Sequence, residues 1–177
     1  MKKKPIYLWI LLVLSALISA SSLFGILGPV PSKEVLRASL SNSGSLTAQQ
    51  IEDTVNYTYQ VTASSHSIFN VVLIVLSAIL VVVAFVFLVR KNVQFANYAY
   101  LGYLLLAIVG LVYSFVNIQD AIQLIKDDTL GLGIGTLAKG TVILFMIINV
   151  FFLALVLYKM WRQQKDLAEE AEAEEVA

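Results

Sequence analysis

The chain has 177 residues, of which 59% are hydrophobic and 14% charged, and its mean hydropathy is +0.82. Soluble domains carry about 25% charged residues, so an ordinary soluble fold is excluded and an all-α integral membrane protein is expected. The formal net charge is zero, and with no cysteine and a single histidine, His66, disulfides, thiolate nucleophiles and cysteine or histidine metal sites are excluded.

Residues 1–4 form a basic start, and after Pro5 the chain runs uncharged from Ile6 to Pro31. A signal peptide begins in the same way, and Ser19-Ala20-Ser21 would offer it a cleavage site. The apolar run continues through residues 23–27, longer than a typical signal core, which favours an uncleaved first span over about 6–28. Ser15, Ser19 and Ser22, with Ala16 and Ala20, fall at helical spacing. Small residues of this kind let helix backbones approach closely in lipid, so these serines are candidates for helix packing.

Gly28-Pro29-Val30-Pro31 ends the first helix, because proline lacks the N–H donor and disfavours helix in the residue before it. The larger outer loop follows, over residues 29–67, with turn residues at 41–45. Thr47 and Gln50 have capping-box spacing, and Ile51, Val55 and Tyr59 lie four apart behind them, which predicts a short amphipathic helix. A strand competes over residues 48–62, because Val55, Tyr57, Tyr59 and Val61 alternate with polar residues. A lone strand would leave its backbone unpaired, so helix is preferred.

The second span, about 68–89, is the most apolar stretch, with Asn70 and Ser77 as its only polar side chains. About 20 such residues suffice to cross the hydrocarbon core. Arg90-Lys91 opens a short basic turn, and the third span runs over about 95–116. Tyr98, Tyr100 and Tyr103 suit the bilayer interface, while Gly102 and Gly110 are further candidates for close helix contact. In the second outer loop, residues 117–140, the spacing of Ile118, Ile122 and Ile125 extends the third helix beyond the membrane. Gly131, Gly133 and Gly135 read as a flexible connector or hinge.

The fourth span, about 141–158, contains one polar residue, Asn149, expected to bond a neighbouring helix. Lys159, Arg162 and Lys165 close it. Residues 1–166 thus form one four-helix transmembrane bundle, and 167–177 an acidic tail whose glutamates oppose the helix dipole and should fray.

With four spans both termini share a side. That side carries eight of the twelve lysines and arginines, so the positive-inside rule makes it cytoplasmic. Trp9, Tyr7, Tyr158 and Trp161 mark the same interface.

Chemistry-bearing motifs are weak. The glycine run with Lys139 lacks the order of a phosphate-binding loop. Asn56-Tyr57-Thr58 fits a glycosylation acceptor, His66 reads as a solvated interfacial side chain, and Asp120, Asp127 and Asp128 read as a solvated loop face. No Asp, Glu, Lys, Arg or His lies inside any span, and proton relays and ion-coupled transporters use such groups. The layout of spans and loops resembles that of tetraspanin-like and claudin-like proteins in topology alone, since their loop cysteines and tryptophan signature are missing.

No catalytic residue, metal or cofactor is therefore expected, and no nucleic-acid partner. The expected function is that of a non-enzymatic, multi-pass protein of the bacterial inner membrane, an accessory, scaffold or immunity-type subunit. Its partners would be the lipid bilayer and other membrane subunits or a second copy. The alternative is a permease subunit of an export complex with a separate ATPase.

Overall fold

The computed structural model describes residues 5–42 and 46–175, with side chains described except at 167 and 170–175. The basic start at residues 1–4, residues 43–45 of the 41–45 turn and residues 176–177 of the acidic tail lie outside the described residues. The described chain is all-helical and has no strand. Its six helices are α1 (Ile6–Leu27), α2 (Lys33–Ser41), α3 (Ala48–Ser65), α4 (Ile68–Val89), α5 (Val93–Ile122) and α6 (Asp128–Glu175). Four of them, α1, α4, α5 and α6, are long and apolar enough to cross a membrane.

Local chemistry explains where α2 to α6 start. A side-chain oxygen at the position before α2 to α6 accepts from the backbone N–H three residues on. These oxygens belong to Ser32, Thr47, Ser67, Asn92 and Asp127. Each such cap is worth about 1 kcal/mol. Thr47 and Gln50 close a complete capping box, Gln50 N to Thr47 Oγ1 at 3.3 Å and Thr47 N to Gln50 Oε1 at 3.1 Å. That reciprocal pair commits residues 48–62 to helix, and the strand alternative fails.

The α4–α5 turn is a Schellman motif. Lys91 N–H bonds the Leu88 carbonyl at 3.0 Å, and Asn92 N–H reaches Phe87 O at 2.9 Å. Lys91 takes the left-handed position, φ 60°, that glycine fills in most such turns.

One expectation is corrected at the other end. Gly131, Gly133 and Gly135 are not a connector, because α6 already begins at Asp128 and runs through them. Gly135 allows a close approach: a Cβ there would lie 3.1 Å from Ile122 Cδ1 on the last turn of α5. At the far end of α6, on the side of the α4–α5 turn, the acidic segment is helical as far as Glu175, with Lys165 Nζ 3.6 Å from Glu169 Oε1.

The long helices pack mainly as α4 on α5, α5 on α6, and α1 on α4, while α1 and α6 barely meet. The buried core sits toward the α4–α5 turn, built from Leu8, Leu11 and Leu12, Val81, Ala84 and Leu88, Ala96, Tyr100 and Leu104, and Val156. At the opposite end α2 and α3 form a cap. Arg37 grips Glu52 at 2.8–3.0 Å, and Lys33 donates to Asn56 Oδ1 at 2.7 Å, so the glycosylation motif's asparagine already has a partner. Val55 is fully buried where α3 packs on α5.

Candidate functional site: a hydroxyl-lined cleft

Because α1 and α6 separate away from the core, a cleft of about 360 Å³ opens between them over a floor of α4 and α5. Ile18, Leu73, Ile74, Leu106, Leu111 and Phe145 supply apolar walls. Ser19 and Ser22 reach it from α1, Asn70 and Ser77 from α4, Tyr103, Gly110 and Ser114 from α5, and Asn149 from α6. No lining side chain carries a charge.

The hydroxyls in this cleft lack protein partners. Elsewhere, Thr54, Thr62 and Thr141 fold back onto a carbonyl one turn earlier at 2.7–2.8 Å. Ser19 and Tyr103 make no hydrogen bond, although they are only 8% and 5% exposed. The hydroxyls of Ser22, Ser77 and Ser114 are likewise unpaired. Their oxygens keep accessible surface toward the cleft, since among the described residues the one buried side-chain polar atom without a partner is Asn97 Nδ2.

The six packing candidates therefore divide. Ser15 is internal and pairs with the Tyr100 hydroxyl at 3.0 Å. Gly102 sits against α4, where an added Cβ would lie 3.3 Å from Leu80 Cδ1. Ser19, Ser22, Gly110 and Asn149 line the cleft, and around Gly110 a Cβ would meet nothing within 4 Å. Asn149 bonds Phe145 O of its own helix at 2.8 Å rather than a neighbouring helix, which leaves its amide oxygen free toward the cleft.

Sequence reading missed two polar sites, Asn97 and Asp53, and did not find the partners of His66. Asn97 is fully buried, accepts from the Tyr7 hydroxyl at 3.0 Å, and has an unpartnered Nδ2. His66 is half-buried, with Nε2 2.9 Å from Gly28 O and Nδ1 2.9 Å from Thr62 O. Asp53, 1% exposed, ties the cap to the α5–α6 turn by accepting the backbone N–H groups of Lys126 and Asp127 at 2.9 and 3.1 Å. Gln49 donates to its other oxygen at 2.7 Å. Desolvation pushes the Asp53 carboxyl up, but the Asp127, Lys126 and Gln49 hydrogen bonds and the Lys126 charge outweigh it and hold the pKa below the ordinary carboxylate value. Asp127 is not merely a solvated loop acid either. Its bond from Leu130 N–H, then that from Gln50, lower its pKa against a smaller desolvation effect.

The cleft brings together hydrogen-bonding groups with no nucleophile–base pair, and among the described residues no cluster of three or more His, Cys, Asp or Glu could hold a metal. Such a surface can bind and orient an uncharged molecule. Over residues 1–169 the chain matches the family described as Domain of unknown function (DUF8777), and it belongs to that family. No curated protein and no solved structure matches it.

Proposed function

For this family member we propose a non-enzymatic role as a multi-pass subunit of the bacterial inner membrane, accessory, scaffold or immunity-type, with both termini cytoplasmic. It acts through helix and loop contacts with another membrane protein or a second copy. The observation that carries this reading is the isolation of α6. Only 11% of its apolar window is buried, against 28% for α4, and α5 is its one extensive neighbour. Ile147, Val150 and Phe151 on this helix are exposed and available to a partner. Helix association in lipid rests on such side-chain packing because hydrophobic drive between helices is missing there.

The test uses the lack of native cysteine. Ile147→Cys, exposed, and Val156→Cys, fully buried, are labelled with a photoreactive maleimide in native membranes. A discrete protein adduct is expected at 147 and none at 156. The purified chain in liposomes should pass neither ions nor dye under an imposed gradient. Saturable flux from the isolated chain, or lipid adducts alone at 147, overturns the reading.

A further inference from the structure

We propose that His66 is a proton-dependent latch: its doubly protonated ring ties the end of α1 to the α3–α4 corner, and deprotonation releases α1. The inference rests on the geometry of that corner, not on the subunit role or on which membrane face the corner occupies.

The ring lies between two acceptors. Nε2 is 2.9 Å from the carbonyl oxygen of Gly28, the residue that ends α1, and Nδ1 is 2.9 Å from that of Thr62 on α3. A carbonyl oxygen can only accept, and a neutral imidazole carries one N–H. Either neutral tautomer therefore sets a nitrogen lone pair against an oxygen at 2.9 Å, and only the imidazolium donates to both. Ser65 Oγ lies 3.2 Å from Nδ1, but its one proton goes to Thr62 O at 2.7 Å. Turning that proton to Nδ1 would still leave the Nδ1 lone pair facing Thr62 O.

The two contacts are unequal. Thr62 is one turn back on the same helix, whereas Gly28 is 38 positions away and its contact with Nε2 is open to water. Deprotonation therefore breaks the Gly28 bond. The corner itself is fixed by other means: Ser67 Oγ is 2.8 Å from the Tyr113 hydroxyl, and Asn70 Nδ2 donates to Ser65 O at 2.7 Å. Among the described residues, the Gly28 bond is the one hydrogen bond from residues 16–31 to another element. The bonds from Tyr7 to Asn97 and between Ser15 and Tyr100 hold the first half of α1. Losing the Gly28 bond frees the last turns of that helix.

Neighbouring charges are engaged elsewhere. Neither α1 nor α4 carries a charged side chain. On α3, Glu52 is held by Arg37 of α2 and Asp53 by the backbone of Lys126 and Asp127. Lys33 of α2 lies over the Tyr59 ring and donates to Asn56, and Glu34 sits beside Ser32. From α5 the titratable group at the corner is Tyr113, which reaches Ser67.

The chain has one histidine, and Gly28 is its one glycine followed by proline, so isotope labelling addresses each partner singly. Full-length protein carrying nitrogen-labelled histidine, or carbonyl-labelled glycine with nitrogen-labelled proline, is followed in bilayers by solid-state NMR. The titration runs from about pH 5 to about pH 8, the range over which histidines change charge. A spin label at Phe24→Cys, exposed near the end of α1, reports motion. At the acid end both ring nitrogens should be protonated, the Gly28 carbonyl hydrogen-bonded and the label restrained. As pH rises, the carbonyl signal should move in step with loss of the ring proton and the label should become mobile, the closed population falling roughly tenfold. Ser65→Ala should keep this response, and His66→Phe should abolish it and leave the label mobile throughout. A ring that titrates without moving the Gly28 carbonyl overturns the proposal, as does a response seen in Ser65→Ala but not in the unsubstituted chain. If a variant loses helix content by circular dichroism, the joint titration of ring and carbonyl in the unsubstituted chain decides.

Discussion

The carboxylate of Asp53 lies 2.9 Å from the backbone nitrogen of Lys126, a residue 73 positions further along the chain. One side chain thereby holds the α2–α3 cap onto the turn between the two longest helices. Asp53→Ala should leave the N–H groups of Lys126 and Asp127 without their acceptor. Their hydrogen-exchange protection should fall by on the order of tenfold, with a smaller loss in Asp53→Asn, which keeps one acceptor oxygen. Unchanged protection would remove the tether from the account.

The same contacts set a pH dependence. Asp53 and Asp127 both have lowered pKa values in the folded chain. Their contribution is therefore fully present above the unfolded value of about 3.9 and is lost as pH falls through the depressed folded values. Limited proteolysis of the cap should accelerate below about pH 4. The double variant Asp53→Asn, Asp127→Asn should flatten that dependence.

Inside the apolar region, Ser15 and Tyr100 share a buried hydrogen bond. A double-mutant cycle with Ser15→Ala and Tyr100→Phe, followed by reversible unfolding in mixed micelles, should give a coupling of about 0.6 kcal/mol and not above about 1.7. Strict additivity would mean that the two hydroxyls are not energetically paired.

How much of this was legible in sequence depends on range. The four apolar helices show as uncharged runs, and the α3 start shows as Thr47 and Gln50, because a capping box needs only four residues. Asp53 and Asn97 could not be read, since their partners lie 73 to 90 positions away. The glycines at 131–135 misled because glycine signals flexibility unless a neighbour's closeness demands it, and that neighbour, Ile122, is known only from the fold. Ser15 and Ser19 are alike in sequence; only the position of Tyr100 makes one internal and leaves the other facing the cleft.

Lys91 adopts a left-handed backbone that costs an L-residue roughly 1–2 kcal/mol. Lys91→Gly should therefore raise thermal stability by about 1 kcal/mol. A drop would show that the lysine side chain contributes more than its backbone costs.

Orientation is open to direct measurement. Reporter fusions after Gln60 and Lys126 should be active as external, and those after Asn92 and Lys165 as internal. A reversed pattern would place the cap on the cytoplasmic side.

The span of chain between Asp53 and the N–H groups it holds also sets an order of assembly. At synthesis rates of 5–20 residues per second, the 73 intervening positions take roughly 4–15 s to emerge. Throughout that interval α3 carries a carboxylate whose Oδ2 still lacks its donors, so it stays in water. The cap closes only when α5 has been delivered, and a ribosome pause before residue 126 would hold the nascent protein uncapped.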